Sequence, residues 1–370
     1  MKTIVVSGIT LRKGGTLKIL REALRYLSKM AESGEWRVWA IVNRRELCDF
    51  PNIEYIEVPL KGWIGRLWYE YVTMHRISLE MTPVHLWLSM HDVTPRVKAE
   101  RQAVYCQTSF PFYRWKWRDF RFDPKIPMFA MLTRFYYKAR VHHNRYLIVQ
   151  QEWLRKGLSK MLGVGEEKFI VAPPERAKEE GRKMKDEGLK TNEVPLFLYV
   201  STADCHKNFE TLCEASRLLE EEMGKGRFRT VITVKGDENK YAKWLYAQWG
   251  DVQCIDFHGL MGKEELYDYY AKADCLVFPS NIETWGLPIT EYMEAHGGPM
   301  ILTDLPYARG TASGSNCTTF FEQDNVRQLK DRMKELLEGN MDHFHAIPGA
   351  GKLGEPSAAN WKELFEILLQ

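Results

Sequence analysis

The sequence predicts an α/β protein of two parallel sheets, each covered by helices on both faces. Three observations carry that prediction. Short apolar, β-branched runs alternate with segments of helical periodicity along the chain, which is the pattern of βα units. The length, 370 residues, is a prior for two domains at about 150 residues each. Midway, Pro173-Pro174 and Pro195 bracket an almost purely charged run, Arg176–Lys190 (RAKEEGRKMKDEGLK), read as a solvated helix at the joint.

In order, Thr3–Gly8 (TIVVSG) reads as a strand. Leu17–Met30 reads as a helix because Leu17, Leu20, Leu24 and Leu27 share one face. Arg37–Val42, Ile53–Val58, Val84–Met90 and Ala103–Cys106 read as strands, Met128–Arg145 as a helix, and Tyr146–Val149 and Phe169–Ala172 as strands. The second half repeats the alternation. Leu196–Val200 is a strand, and Phe209–Met223 a helix with Phe209, Leu212, Ala215 and Leu219 on one face. Strands Arg229–Val234, Val252–Phe257, Cys275–Pro279 and Met300–Thr303 then alternate with helices Tyr241–Trp249, Glu264–Ala273 and Pro288–Ala295. A Gly/Pro loop (PGAGKLGEP) precedes a final amphipathic helix, Ala358–Leu369. The expected domains are 1–172 and 173–354, with 355–370 packing back on the first.

Composition excludes several classes. Apolar residues at 45% and charged residues at 27% are ordinary for a globular chain and argue against disorder, collagen and coiled coil. A net charge of +3 does not by itself imply a nucleic-acid partner. No stretch reaches the roughly 18 apolar residues that span a bilayer. The N-terminal MKTIVVSGIT has an apolar core only a strand long and no small-residue cleavage site, so a signal peptide is not expected. The seven cysteines are scattered without a C-x-x-C, which points to reduced thiols in a cytoplasmic protein.

Ligands of doubly wound sheets bind beyond the carboxyl ends of the strands, so the chemistry is sought in the loops after strands. After the first strand, Gly14-Gly15-Thr16 opens a helix, whose free N–H groups suit a phosphate; a plain turn capped by Thr16 explains the same residues. The G-x-G-x-x-G dinucleotide spacing is absent. The most specific local string is Asn281–Glu294 (NIETWGLPITEYME), directly after CLVFPS. It places Glu283 in a loop and Glu291 in the first turns of a helix, with Gly286 and Leu287 offering amides at the helix start. Carboxylates there suit sugar hydroxyls.

F-P-S-x-x-E-T-x-G-L-P-x-x-E resembles the donor-site signature of glycosyltransferase family 4, which has the GT-B fold. His206-Lys207-Asn208-Phe209, Phe257-His258-Gly259, Ala273-Asp274 and Gly14-Gly15 match further family pieces in order. The resemblance implies two Rossmann-like domains facing across a cleft, and a retaining, metal-independent transfer from a nucleotide-diphosphate sugar. It gives Glu291 the ribose hydroxyls, Glu283 the hydroxyls of the transferred sugar, and Gly286 and Leu287 amide contacts to the donor. Lys207 would neutralise the diphosphate and Gly15 would close over it; His258 and Gly259 would complete the donor side. No cofactor or metal is implied, and no Asp-x-Asp pair or histidine ligand spacing is present.

Two positions depart from the family. No Arg precedes Lys207 in Ser201–Lys207, so a phosphate contact must come from elsewhere, with His206 or Lys235 as substitutes. Gln107, in YCQTSFPF, stands where the family usually carries a substrate-contacting His, and His91, after the preceding strand, is the nearest replacement. These departures keep two rivals open: a GT-B nucleotide-sugar epimerase, and a nucleotide-sugar-binding protein with little activity.

Between Phe110 and Tyr146 lie twelve aromatic and nine Lys/Arg residues against only Asp119 and Asp123. Single-stranded nucleic acid fits poorly beside the donor signature, and ordinary packing remains an alternative. The remaining reading is an acceptor-side or membrane-facing arm, with Arg114, Trp115 and Trp117 at its centre beside Gln107. The expected acceptor is a glycan or a lipid-linked glycan, with the enzyme in the cytoplasm, at the inner membrane face for a lipid-linked acceptor, and working in surface polysaccharide synthesis.

Overall fold

The computed structural model describes residues 1–59, 62–175 and 194–370; the charged run Arg176–Lys190 lies outside them. The chain begins β1 (Lys2–Gly8), α1 (Gly14–Ala31), β2 (Trp36–Val42), β3 (Ile53–Glu57), α2 (Trp63–Trp68), a π-helical turn (Tyr69–Thr73) and α3 (Met74–Glu80). It continues β4 (Val84–Ser89), β5 (Arg101–Tyr105), α4 (Asp119–Phe122), α5 (Lys125–Lys138), β6 (Tyr146–Val149), α6 (Glu152–Leu162) and β7 (Phe169–Val171). The second half runs β8 (Leu196–Tyr199), α7 (Phe209–Met223), β9 (Arg229–Ile232), α8 (Lys240–Trp249), β10 (Ile255–Phe257), α9 (Lys263–Lys272) and β11 (Cys275–Phe278). It ends α10 (Leu287–Ala295), β12 (Met300–Thr303), α11 (Pro306–Thr311), β13 (Thr318–Phe321), α12 (Val326–Leu337) and α13 (Trp361–Leu369).

Contacts divide the chain into two compact units. The first holds Met1–Pro111, Leu132–Glu175 and Lys352–Gln370, the second Phe112–Met131 and Arg176–Gly351. The sequence reading had kept Phe112–Met131 with the first domain.

In the first unit seven parallel strands run in the order β3-β2-β1-β4-β5-β6-β7. Their near-continuous apolar runs follow from burial on both faces; β4 is buried along its whole length. α1 lays Leu17, Leu20, Leu24 and Leu27 on the sheet, and α13 joins the same core through Trp361, Leu364, Phe365 and Leu368. Phe365 stacks on Tyr26 at 5.4 Å between ring centroids. The Asn360 side chain caps α13 by accepting the Glu363 N–H at 3.0 Å.

In the second unit six parallel strands run β10-β9-β8-β11-β12-β13. Both sheets reverse direction of growth beside their first strand, between β1 and β4 and between β8 and β11. These switch points are where doubly wound sheets open a crevice for ligands.

Several elements differ from the sequence expectation. The helix read as Met128–Arg145 is α5, Lys125–Lys138. It stops because Arg140 turns left-handed at φ +60°, and no Gly or Pro marks that stop. α2, the π-turn and α3 were unread because their segment is rich in aromatic and β-branched residues. α6 and α11 were unread too. α12 buries only Leu329 and Met333, so its apolar stripe is thin. β13 is four residues long, too short to show a period.

Candidate active site

The second unit's switch point is built by two loops that are tied to each other. After β8 the chain makes a tight turn, Cys205–Lys207, and Asn208 then takes a left-handed conformation at φ +57°. Asn tolerates that region better than most residues. The buried Asn208 amide donates to the Pro279 carbonyl at 3.2 Å, and its carbonyl oxygen accepts the Thr211 hydroxyl at 2.8 Å. The Asn281 N–H donates to the His206 carbonyl at 2.9 Å, and the Tyr199 hydroxyl to the Lys207 carbonyl at 2.7 Å. The loops after β8 and β11 are thereby locked side by side.

That lock brings Lys207 and Glu283 together. Lys207 Nζ lies 2.7 Å from Glu283 Oε1, and both side chains are 15% exposed. The pair is open enough to meet a ligand and sheltered enough for its charges to be felt. Tyr307 supports the Glu283 loop from beneath, donating its hydroxyl to the Ser280 carbonyl at 2.7 Å.

Gly286 begins α10 at φ +90°, where a side chain would be strained, and a Cβ there would lie 3.2 Å from Ile289 Cδ1. The positive φ is what favours glycine here. Leu287 and Pro288 open the helix, and Glu291 follows one turn in. The Tyr270 hydroxyl donates to Glu291 Oε2 at 3.2 Å. Tyr270 is fully buried, so its hydroxyl fixes the carboxylate from below. Sequence reasoning missed Tyr270, which sits in a tyrosine-rich helix with no signal to single it out.

His258 and Gly259 follow β10. His258 Nε2 lies 3.2 Å from Glu265 Oε1, and its ring meets Tyr269 edge-on. Gly259 turns at φ +93° with Lys235 Cβ 3.2 Å from where its own Cβ would be. Of the two substitutes for the missing Arg, His206 is not a cation: burial, then the neighbouring Lys207 charge, pushes its pKa well below the usual value. Lys235 is exposed at 69%, with Asp237 at 3.8 Å.

Gly14 and Gly15 open α1 in the first unit and are exposed, with Gly14 at φ +66°. The Thr16 hydroxyl donates to the Lys13 carbonyl at 3.2 Å, so it does not cap the helix amides.

His91 lies at the first unit's switch point, but not as a substrate contact. It is 1% exposed, with Nδ1 3.1 Å from Glu70 Oε1 and Nε2 3.3 Å from the Ser7 hydroxyl. Glu70 is fully buried and also accepts Arg66 Nε at 2.7 Å and the Tyr136 hydroxyl at 2.6 Å. Burial alone would raise the Glu70 pKa; the hydrogen bond and charge of His91, then Arg66, outweigh it and bring it down to about 2. The constellation has the order of a Ser-His-acid triad, yet Ser7 is itself fully buried and no nucleophile is presented. Sequence reasoning missed Glu70 and Arg66 because their helical segment was unread.

Gln107 is also a buried support. Its amide donates to the Met90 carbonyl at 2.8 Å, and its backbone N–H donates to Asp92 Oδ1 at 2.5 Å. Asp92 holds the left-handed turn after His91 at φ +71°.

Arg114, Trp115 and Trp117 fall in the segment that clusters with the second unit, which corrects their expected place on the first. Trp115, Trp117 and Phe120 pack edge-on or tilted within 5.8 Å of one another. Lys116 pairs with Asp324 at 2.7 Å. Arg118 donates to Glu210, as does the Tyr241 hydroxyl. Tyr113 donates to the buried Asp119 at 2.9 Å and meets the His206 ring edge-on. Much of this segment's aromatic and basic content serves packing within the second unit. Among the described residues no group of three or more His, Cys, Asp or Glu could hold a metal ion.

Residues 181–350 match the family described as Glycosyl transferases group 1. A comparison with curated protein sequences finds no significant match. Among solved structures the chain is similar to WaaG, a glycosyltransferase involved in lipopolysaccharide biosynthesis, at 15% identity over 90% of each chain and a TM-score of 0.64. It is similar to the lipopolysaccharide outer core galactosyltransferase WaaB at 10% identity over 92% of each chain and a TM-score of 0.63. Anabaena HepE, in complex with UDP and glucose, aligns at 12% identity over 93% of this chain and 92% of its own, with a TM-score of 0.60. At these identities the likeness is one of fold. The fold is GT-B, and the residues that match the glycosyl transferases group 1 family lie in the second unit.

Proposed function

We propose that the chain transfers a sugar, with retention and without a metal ion, from a nucleotide-diphosphate donor to a glycan or lipid-linked acceptor. The observation that carries this reading is the Lys207–Glu283 pair at the β8/β11 switch point, with Glu291 one turn into the adjoining helix. A cation, two carboxylates and a helix N-terminus in one crevice match the parts of a nucleotide-diphosphate sugar. Lys207 takes the diphosphate in place of Glu283, which is released to the hydroxyls of the transferred sugar. Glu291, held by Tyr270, takes the ribose hydroxyls. The amides of Gly286 and Leu287 face anionic oxygen at the positive end of α10.

As the bond from the anomeric carbon to the diphosphate oxygen breaks, negative charge grows on the leaving group and the sugar becomes oxocarbenium-like. Lys207 and the helix amides then bind the transition state more tightly than the ground state, without reorganising. The acceptor oxygen bonds to the same face of the sugar, and its proton passes to the leaving phosphate oxygen. The HepE complexes with UDP and with UDP-glucose favour a uridine donor as the first to test, and the lipopolysaccharide enzymes among the structural neighbours favour a surface glycan as acceptor.

A thermal-shift series with UDP, GDP and their sugars tests the donor, because a ligand that binds only the folded state raises the midpoint. Labelled donor then separates transfer, epimerisation and binding alone by product. A shift with no nucleotide in the series overturns the donor reading.

A further inference from the structure

The first unit has a concave face at the end of its sheet away from the switch point. β5 begins at Arg101, β6 at Tyr146 and β7 at Phe169, and because these strands are parallel their starts share one edge. A cavity of about 760 Å³ opens there, with Arg101, Gln102, Asn144, Arg145, Glu167 and Lys168 in its wall. Its size is that of a small-molecule site. The carboxyl ends of the strands lie roughly 15 Å away, the length of β5, so the cavity is separate from the His91 end of the sheet.

Two of its cations have no counter-ion. Arg145 is exposed and Lys168 half-buried, and neither forms an ion pair among the described residues. The Arg145 guanidinium lies over the Tyr146 ring at 5.5 Å. Arg101, by contrast, lies 3.6 Å from Glu100 and donates to the Gln370 backbone carbonyl at 3.0 Å. Asn144 is 2% exposed, and its amide nitrogen donates to Thr94 Oγ1 at 2.7 Å and to the Val141 carbonyl at 3.1 Å. The carbonyl partner fixes which end of the amide is the nitrogen. Oδ1 is left as a buried acceptor with no hydrogen-bond partner among the described residues.

We propose that this cavity is a second, non-catalytic binding site, for an acidic oligosaccharide. The mixture of groups decides the ligand. Arg145 and Lys168 call for anionic oxygen, while Asn144 Oδ1 and the Glu167 carboxylate call for donors. A free phosphate or carboxylate supplies only the first. Glu100 and Glu167 in the wall disfavour a densely charged polyphosphate. A sugar chain with spaced acidic groups supplies both, its anions to the two cations and its hydroxyls to the acceptors. Such a site holds a glycan by its body and leaves its end free, which raises the local concentration of acceptor. That consequence rests on the transferase reading, whereas the binding does not.

The test is isothermal titration calorimetry of the full chain at low salt, without nucleotide, using tetragalacturonate, neutral maltotetraose and inorganic phosphate. Tetragalacturonate should bind saturably with a Kd below about 1 mM, about tenfold or more tighter than the other two, and more weakly as salt rises. Arg145→Gln/Lys168→Gln should lose about tenfold. Arg145→Glu alone should lose a similar factor with an unchanged unfolding midpoint, because that side chain is exposed. Lys207→Ala should bind as wild type. No saturable binding of tetragalacturonate overturns the proposal. So does equal binding of maltotetraose, which needs no cation, or of phosphate, which marks an adventitious anion only. Binding by Arg145→Glu within twofold of wild type overturns it too, as does a loss in Lys207→Ala, which puts the glycan in the donor crevice. No arm of the experiment uses a sugar donor, so its failure leaves the transferase reading untouched.

Discussion

Lys207 Nζ and Glu283 Oε1, contributed by loops 76 residues apart in sequence, meet at 2.7 Å in a crevice that shelters both. Each is the other's counter-ion until a ligand separates them. In the proposed reaction an anionic diphosphate takes Lys207, and the sugar hydroxyls take Glu283. The two charges thus balance each other and are positioned in advance.

Lys207→Ala should lower turnover about a hundredfold, on the order of 3 kcal/mol, because a fixed cation is lost from the leaving group. Glu283→Ala should lower kcat more than it raises the donor KM. Initial rates at saturating donor check both; rates within a few-fold of wild type for the two variants would assign the pair to surface electrostatics.

Glu291→Ala should raise the donor KM on the order of tenfold, the loss of a charged hydrogen bond to the nucleotide. Tyr270→Phe should produce a smaller rise of about fivefold with kcat unchanged, since the phenol only holds the carboxylate at 3.2 Å. The split between KM and kcat is the readout: a fall in kcat with KM unchanged would place Glu291 at the reacting sugar instead.

Glu70 should make the fold acid-sensitive. Its folded pKa, about 2, lies below the ordinary 4.5, so its stabilising contribution is complete above about pH 4.5 and is lost as pH falls toward 2. Glu70→Gln should cost on the order of 3 kcal/mol at pH 7, because Arg66 loses a buried counter-ion. Urea midpoints of wild type and variant should converge as pH drops through that window. A constant gap across it would mean Glu70 is not the titrating group.

Chelation should leave activity unchanged. In the proposed transition state Lys207 and the α10 amides take the role that a divalent ion plays elsewhere. Rates with and without EDTA, followed by added Mg²⁺ or Mn²⁺, measure this directly, and a loss restored by one metal would require a different diphosphate site.

The proposed donor crevice was legible in the sequence because it is local. Phe278-Pro279-Ser280 through Glu291 is one strand, one turn and one helix start, and each chemical part keeps its place in the string. The left-handed Gly286 and the α10 N-terminus follow from that string alone. The pairing of Lys207 with Glu283 also has a sequence cue, since both follow strands, but only sheet order makes those strands neighbours.

The first unit was less legible because its site is built from distant and unmarked pieces. Ser7, Glu70, His91 and Tyr136 come from four elements, and Glu70 sits in a π-turn that no periodicity announces. His91 reads as a ligand contact from its place after a strand; burial and two hydrogen-bond partners make it a support. The segment after Phe110 shows the same division. Composition gives its aromatics and cations, but contacts decided that Trp115, Lys116 and Arg118 pack with the second unit while Leu132 and Phe135 face out. Sequence fixes the period of a helix and the chemistry of each face, whereas which face is buried depends on what the rest of the chain places against it.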